Sequence, residues 1–337
     1  MADFKESKYW ISSSDNLVKC LLCPHECIIK EEKYGICRVR KNIGGKLFTG
    51  VYGKIVARNL DPIEKKPLYH FYPGKQILSI GTAGCNLQCF FCQNFNISQT
   101  FVHSFANVKE ISPWELVQMA HQTYHNIGIA FTYNEPVVFY EYMYDTAMIA
   151  KEENLKTVMI TNGFISVDPL KNILPLIDAF NVDLKAFSDS FYRKNTKSAI
   201  GPVKSTLFEV HKSGKHLEIT FLVIPGLNDN ESEFKEMISW IADNFGETQI
   251  LHISRYFPNY LSEIPSTPIN VMRKMYELAR NKLTYVYLGN MSVSEEQNTY
   301  CHHCGKLVIE RDHFNVKVLL DKGGKCPGCQ TQIIIHI

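Results

Sequence analysis

The chain has no apolar run long enough to cross a bilayer, so a membrane-spanning protein is not expected. Its N-terminal residues are polar and lack the apolar core of a signal peptide, which makes a cytoplasmic protein the expectation. Net charge is small as well, because 36 Lys and Arg stand against 34 Asp and Glu. This balance gives no electrostatic reason to expect nucleic acid or a membrane surface as a partner.

Cysteine, in contrast, is frequent, and all 11 cysteines fall into three groups. The first group has four members, the second three and the third four: Cys20, Cys23, Cys27 and Cys37; Cys85, Cys89 and Cys92; Cys301, Cys304, Cys326 and Cys329. Short Cys-x-x-Cys spacings in a chain without a secretion signal favour metal thiolates over disulfides. The sequence therefore predicts three metal sites.

The middle of the chain alternates strand-length apolar runs with segments of helical periodicity. Strands are predicted at 76–81, 128–131, 157–160, 180–184, 217–223, 250–253 and 285–288, and helices at 114–125, 138–150, 234–244 and 269–280. Such alternation predicts βαβ units and a parallel sheet or barrel, and hence an α/β fold. We divide the chain into an N-terminal module (1–75), the barrel (76–291) and a C-terminal module (292–337), with 292–300 as a linker.

A parallel barrel carries its chemistry at the C-terminal ends of its strands. Polar residues follow the predicted strands at this end. They are Cys85 after the first strand, Glu135 after the second, Thr161 and Asn162 after the third, Asp183 and Lys185 after the fourth, and Arg255 after the sixth. This recurrence predicts a composite active site.

The middle cysteine group offers three thiolates, Cys85, Cys89 and Cys92. A structural zinc site normally has four protein ligands. An iron–sulfur cluster held by three thiolates keeps one iron open to an outside ligand, which can then receive an electron directly. The group therefore favours a catalytic cluster over a structural metal. A three-ligand zinc site and a ferredoxin-like site are the alternatives.

The pattern Cys85-x3-Cys89-x2-Cys92, with Phe91 before the last cysteine, resembles the signature of the radical S-adenosylmethionine (SAM) superfamily. The resemblance covers residues 76–291 and implies a partial (β/α)6 barrel of the TIM type. It also implies a [4Fe–4S] cluster whose open iron is chelated by SAM. Reductive cleavage of SAM then yields a 5′-deoxyadenosyl radical, which abstracts a hydrogen atom from a substrate. Phe91 is an expected cofactor contact.

The same resemblance assigns roles to the strand-end residues. Glu135 is expected to accept a hydrogen bond from the SAM amino group, and Thr161 and Asn162 to approach its methionyl and ribose parts. Asp183 and Lys185 resemble the Asp-x-Lys of glycyl-radical activating enzymes, where Lys meets the SAM carboxylate; a structural ion pair is the alternative. Arg255 is the candidate substitute for a sixth-strand His in those enzymes.

In three places the sequence departs from these relatives. Tyr133-Asn134 replaces the two glycines that usually precede the acidic residue of the second strand. Ile160 stands where activating enzymes have an acidic residue of a cation site. Arg255-Tyr256-Phe257 occupies the region of the sixth-strand His.

The flanking cysteine groups are predicted to be four-thiolate sites. Cys301, Cys304, Cys326 and Cys329 form two Cys-x-x-Cys knuckles typical of a zinc ribbon or a rubredoxin-like site; zinc is favoured, with mononuclear iron as the alternative. Cys20, Cys23, Cys27 and Cys37 also favour zinc, and an auxiliary iron–sulfur cluster is the alternative. His25 is not expected to be a ligand, and His70, His216 and His252 are expected to be structural.

Several further stretches resemble one branch of the superfamily, the radical enzyme of the AmmeMemoRadiSam system, which is similar to pyruvate formate-lyase activating enzymes. They are 61–68 (DPIEKKPL), 81–85 (GTAGC), 133–136 (YNEP), 224–228 (IPGLN) and 298–301 (NTYC). The resemblance implies a Memo-like partner protein, and the chemistry requires an external electron donor.

The predicted function is radical SAM chemistry on an unknown substrate. Activation of a glycyl-radical enzyme is one alternative. An electron-transfer protein with several iron–sulfur centres and a zinc-ribbon binding protein are alternatives of other classes.

Overall fold

The computed structural model describes residues 4–13, 15–105, 108–292 and 295–337. Within these ranges the strands are, in chain order, β1 (Lys5–Glu6), β2 (Trp10–Ser12), β3 (Val18–Cys20), β4 (Ile28–Ile29), β5 (Arg40–Ile43), β6 (Lys46–Thr49), β7 (Ala57–Pro62), β8 (Gln76–Gly81), β9 (Asn126–Phe131), β10 (Lys156–Thr161), β11 (Ala179–Asp183), β12 (His216–Val223), β13 (Ile250–Arg255), β14 (Val286–Gly289), β15 (Thr299–Tyr300), β16 (Leu307–Asp312) and β17 (Asn315–Val318).

The helices are α1 (Phe95–Ser98), α2 (Pro113–Gln122), α3 (Tyr140–Glu152), α4 (Val167–Ile173), α5 (Asp189–Phe191), α6 (Ile200–Lys212), α7 (Glu231–Phe245) and α8 (Ile269–Arg280). Short 3₁₀ turns include Ile63–Lys65, Pro136–Phe139 and Glu295–Gln297. Helix α2 begins at a capping box: the Ser112 hydroxyl accepts from the Glu115 amide at 3.2 Å, and the Glu115 carboxylate accepts from the Ser112 amide at 2.7 Å.

The central sheet has the strand order β14-β13-β12-β11-β10-β9-β8-β7. Strands β8 to β14 run parallel, each bonded to the next, while β7 pairs antiparallel with β8 at the edge. The six strands β8 to β13 form the expected partial-barrel unit, and β14 adds a seventh parallel strand. The α/β fold class predicted from the sequence is confirmed. Because these strands are covered on both faces, they are nearly continuous apolar runs.

The N-terminal residues form two small antiparallel sheets, β1-β6-β5 and β2-β3-β4. Beyond them, β7 carries the chain into the central sheet. Its pairing with β8 runs from Ala57 opposite Gly81 to Pro62 opposite Gln76. Most of β7 is exposed or half-buried and polar, so it lacks the apolar run that marks the other strands of this sheet.

The C-terminal residues form the antiparallel sheet β15-β16-β17, which packs against the barrel. Arg311 of β16 is only 2% exposed, and its guanidinium donates to the Tyr69 carbonyl at 2.8 Å and to the Gln297 carbonyl at 3.0 Å. Residues 295–300, predicted as part of a linker, therefore form the 3₁₀ turn and β15 beneath this side chain. Residues 293 and 294 of that linker lie outside the described residues.

A buried acidic residue organises the same end of the barrel, where the parallel strands begin. Glu218 of β12 accepts hydrogen bonds from His216 at 2.8 Å and His252 at 2.5 Å, and from the backbone amides of Tyr69 and His70. Burial alone would raise the pKa of Glu218, but the hydrogen bonds from His216 and His252 and the charge of these two rings hold it well below the ordinary value. The three histidines expected to be structural do make structural contacts here, His70 through Tyr287 at 2.6 Å.

None of the helices in the described part of the chain is both long enough and apolar enough for a membrane crossing.

Candidate active site

The three-cysteine loop begins directly after β8, at the C-terminal end of the parallel strands. Cys89 is buried, and Cys85 and Cys92 are half-buried. The amide of Leu87 donates to the Cys85 sulfur at 3.3 Å, and the Ser98 hydroxyl lies 3.1 Å from the Cys92 sulfur. Burial raises the pKa of Cys89 to about 12, so this thiol stays protonated until a metal displaces its proton.

Glycine is required immediately before this loop. Gly84 has a φ of +84°, and a Cβ built there would lie 2.4 Å from the Cys37 carbonyl oxygen. Any side chain at this position would therefore be both strained and sterically blocked. The close approach sets the three-cysteine loop against the N-terminal four-cysteine group.

Glu135 connects the ends of β9 and β10. Its carboxylate accepts from the Thr161 hydroxyl at 2.7 Å, from the Asn162 amide at 2.8 Å and from the Val137 amide at 3.1 Å. The Asn162 side-chain nitrogen lies 3.8 Å from the Cys85 sulfur. The structure thus brings together Glu135, Thr161, Asn162 and Cys85, four residues that the sequence places at strand ends.

The pKa of Glu135 is raised to about 7. Burial is the cause, since a carboxylate in this interior loses most of its hydration. The hydrogen bonds from Asn162, Thr161 and Val137 oppose the rise without cancelling it. A cation placed beside this carboxyl would favour its ionised form and lower the pKa again.

Asp183 and Lys185 form an ion pair at the end of β11, with 3.0 Å between the Lys185 nitrogen and the Asp183 oxygen. Burial by itself would lower the pKa of Lys185, but attraction to the Asp183 carboxylate and the hydrogen bond with it raise this pKa above the ordinary value. The ammonium is therefore charged in the folded protein. Its charge also acts on Cys89, where it opposes the effect of burial.

Two residues that were not assigned a role, Tyr133 and Asn134, hold the turn before Glu135. Tyr133 has a φ of +69°, a conformation that explains why glycine usually stands there. Its hydroxyl donates to Asp61 at 2.5 Å and accepts from Asn59 at 3.1 Å, which ties the ring to β7. Asn134 accepts from the Thr82 amide at 3.1 Å and donates to the Gly84 carbonyl at 2.8 Å.

Asn86 is a third residue to which the sequence assigns no role. Its side chain donates to the Phe164 carbonyl at 2.7 Å and accepts from Asn162 at 2.9 Å. Together, Asn86 and Asn134 fix the cysteine loop between the ends of β9 and β10. An asparagine in a loop is common, so only the folded chain identifies these two.

Phe91 and Arg255 are the remaining residues for which the sequence predicts a cofactor contact. Phe91 is buried, with Phe90 and Phe191 as ring neighbours at 5.2 and 6.2 Å. Arg255 ends β13, donates to the Thr267 carbonyl at 2.7 Å and lies over the Phe257 ring. It lines a cavity of about 390 Å³ together with Gln93, the residue after Cys92. Contact of either side chain with a cofactor stays a prediction.

The C-terminal cysteines form a compact site at the opposite end of the barrel. The sulfurs of Cys301, Cys304, Cys326 and Cys329 all lie within 4.8 Å of one another. The neighbouring His302 is bonded through its ring nitrogen to the Tyr285 hydroxyl at 2.7 Å, just before β14 begins. This spacing suits one tetrahedral metal ion.

Comparison with known proteins agrees with this geometry. The family description "Radical SAM superfamily" matches residues 79–241. The chain belongs to the radical SAM superfamily. A protein of Methanocaldococcus jannaschii, uncharacterized protein MJ0808, is 44% identical over 335 residues, which cover 98% of this chain and 99% of that protein.

More distant relatives include the pyruvate formate-lyase 1-activating enzyme of Escherichia coli. It is 24% identical over 165 residues, which cover 48% of this chain and 66% of that enzyme. Among solved structures, a radical SAM methyltransferase from Sphaerobacter thermophilus superposes with a TM-score of 0.50 at 14% identity, over 90% of this chain and 81% of that chain. At this identity the superposition supports the fold alone.

Proposed function

We propose that this radical SAM enzyme cleaves SAM reductively and directs the resulting 5′-deoxyadenosyl radical at a C–H bond of its substrate. The observation that carries the proposal is the convergence of three thiols, a buried carboxyl and a charged lysine at one end of the parallel sheet. Cys85, Glu135 and Lys185 come from three different strand ends, yet they surround a common region.

The donor set fits a [4Fe–4S] cluster. Cys85, Cys89 and Cys92 supply three thiolates, and the other cysteines belong to the two four-cysteine groups. Bound there, the cluster would supply one electron to the sulfonium of SAM and an open iron to its methionyl end. The protein's own share is to bind, orient and shield the cofactor.

In this proposal, Glu135 faces the SAM ammonium and Lys185 faces the SAM carboxylate. Thr161 and the Asn162 amide hold the Glu135 carboxylate in place, and Asp183 holds Lys185. Because the pKa of Glu135 is about 7, an arriving ammonium would convert this carboxyl fully to its charged form. Phe91 and the apolar residues around it would exclude water.

The decisive experiment uses anaerobically reconstituted, dithionite-reduced protein with SAM, and measures 5′-deoxyadenosine by mass spectrometry. Cys89→Ala should abolish the product, since it removes one of three cluster ligands. Cys304→Ala is the matched control. It removes a thiol at the other end of strands on the order of 20 Å long, and should keep the activity.

A Cys89→Ala protein that turns over SAM like the wild type would contradict the proposal. Reversible redox chemistry without consumption of SAM would favour the electron-transfer alternative instead.

A narrower candidate is activation of a glycyl-radical enzyme, in which the target is a glycine Cα–H of a partner protein. The sequence similarity to the E. coli activating enzyme favours it. A partner labelled with Cα-deuterated glycine should then transfer deuterium to 5′-deoxyadenosine. If 5′-deoxyadenosine gains deuterium only from substrates labelled at other positions, this candidate is excluded.

The proposal also includes an electron donor, a partner protein and a second metal. A low-potential electron donor is required, a Memo-like protein is the partner that the family resemblance implies, and zinc is the proposed metal of the C-terminal site. Reduced thiols in all three cysteine groups suit the cytoplasm.

A further inference from the structure

The four N-terminal cysteines surround one small internal cavity. Cys20 ends β3, Cys23 and Cys27 lie in the turn before β4, and Cys37 precedes β5. Their cavity of about 20 Å³ is otherwise lined mainly by apolar side chains, among them Ile29 and Val137. Four thiols therefore face one common space, as the ligands of a single metal centre do.

The spacing of the sulfurs separates this group from the C-terminal one. Two thiolates on the same zinc can lie no more than about 4.6 Å apart. Among the residues that the structure describes, the C-terminal four are the only set of three or more ligand residues whose ligand atoms all lie within 4.8 Å of one another. The sulfurs of the N-terminal four, like those of Cys85, Cys89 and Cys92, therefore do not all lie within 4.8 Å of one another. This wider spacing is expected where each thiolate binds its own iron.

A buried cation faces the same cavity. Arg40 is 1% exposed and lines the cavity, and one of its nitrogens pairs with Glu141 at 2.6 Å. Its Nε and Nη1 have no hydrogen-bond partner among the described residues. Leaving buried donors unpaired is costly, because the hydrogen bonds they made to water in the unfolded chain are not replaced. Cysteine and sulfide sulfurs of a cluster would supply the missing acceptors, and N–H groups near such sulfurs are a usual feature of these sites.

The cavity lies directly beside the loop of the proposed catalytic cluster. The Cys37 carbonyl touches Gly84, the residue before Cys85, and His25 bonds to the Asn86 carbonyl at 2.7 Å. Asn86 itself lines the cavity. The N-terminal cysteines are therefore neighbours of Cys85, whereas the C-terminal cysteines are at the far end of the barrel.

We infer that Cys20, Cys23, Cys27 and Cys37 hold a second [4Fe–4S] cluster next to the catalytic one, not the zinc ion that their sequence spacing favours. Arg40 donates hydrogen bonds to this cluster. The inference does not rest on the proposed function, because it can be tested without SAM cleavage.

The test counts iron and acid-labile sulfide in full-length protein reconstituted anaerobically with iron and sulfide. A variant with Cys85→Ala, Cys89→Ala and Cys92→Ala lacks the catalytic ligands. It should still bind about four iron and four sulfide per chain and give an EPR signal after dithionite reduction. Adding Cys20→Ser and Cys23→Ser to this variant should remove the sulfide. Acid-labile sulfide distinguishes an iron–sulfur cluster from the other possible metals, because neither a zinc site nor mononuclear iron at the C-terminal site contains sulfide.

The wild-type protein provides an independent count, in case the variants fold poorly. It should hold about eight sulfide per chain if both clusters are present, and about four if only the catalytic one is. A sulfide-free triple variant that binds zinc at the N-terminal site would overturn the inference. Two iron and two sulfide in that variant would overturn the [4Fe–4S] assignment.

Discussion

Glu135→Gln should change how the free energy of unfolding depends on pH. The pKa of Glu135 is about 7 in the folded protein against an ordinary value of 4.5. The folded state therefore holds this proton more tightly than the unfolded chain does. Each unit of pKa difference is worth about 1.4 kcal/mol, which gives about 3 kcal/mol in total. This contribution is full below pH 4.5 and is lost as the pH rises through 7. Glutamine does not titrate and has no such dependence.

The assay is urea denaturation of the anaerobic apo-protein, followed by circular dichroism at several pH values from about 4.5 to 8. The stability of the wild type relative to Glu135→Gln should fall by about 3 kcal/mol across this range. All other titrating groups are common to both proteins and cancel in the difference. The exposed Glu152→Gln is the control for replacing a carboxylate away from the site. A stability difference between the wild type and Glu135→Gln that does not change with pH would refute the link between burial and protonation at this site.

Two further substitutions test the contacts around the cysteine loop. Asn134→Ala removes the hydrogen bonds to the Thr82 amide and the Gly84 carbonyl. It should therefore lower the free energy of unfolding by about 1–3 kcal/mol and speed the loss of cluster absorbance under a chelator. An unchanged rate of cluster loss would mean that other contacts hold the loop. Lys185→Met should raise the KM for SAM at least tenfold, because one charge opposite the SAM carboxylate is lost; a normal KM with lower stability would assign the Lys185–Asp183 pair a structural role only.

The central strands could be predicted from the sequence because their signal is local. Residues 76–81 are predicted as a strand and form β8. A strand buried on both faces is a nearly continuous apolar run, which can be recognised from the sequence alone. Strand β9 begins two residues before the apolar run, at Asn126, because the Asn126 side chain accepts from the Leu78 amide on the neighbouring strand. Strand β7 could not be found, because its residues ARNLDP carry no apolar pattern.

For the site as well, the sequence identifies some residues, while their contacts are seen only in the folded chain. Strand-end positions identify Glu135, Thr161 and Asn162, because a parallel sheet collects its chemistry at one edge. The hydrogen bonds among them are tertiary contacts, and so is the approach of Lys185 to Cys89. Asn134 stands in the family-like stretch 133–136, but nothing in that stretch assigns it a role; its importance comes from two bonds to a loop about 50 residues earlier in the chain.

The hydrogen bond from Arg311 to the Tyr69 carbonyl joins residues 242 positions apart. At ribosomal rates of 5–20 residues per second, Tyr69 emerges roughly 10–50 s before its partner has been made. During that interval, the nascent chain already contains every cysteine of the catalytic loop while the base of its barrel is still uncovered. A prematurely terminated product would keep those thiols without the closing contact. The base of the barrel is therefore closed only once Arg311 has been made, and until then Tyr69 lacks this contact.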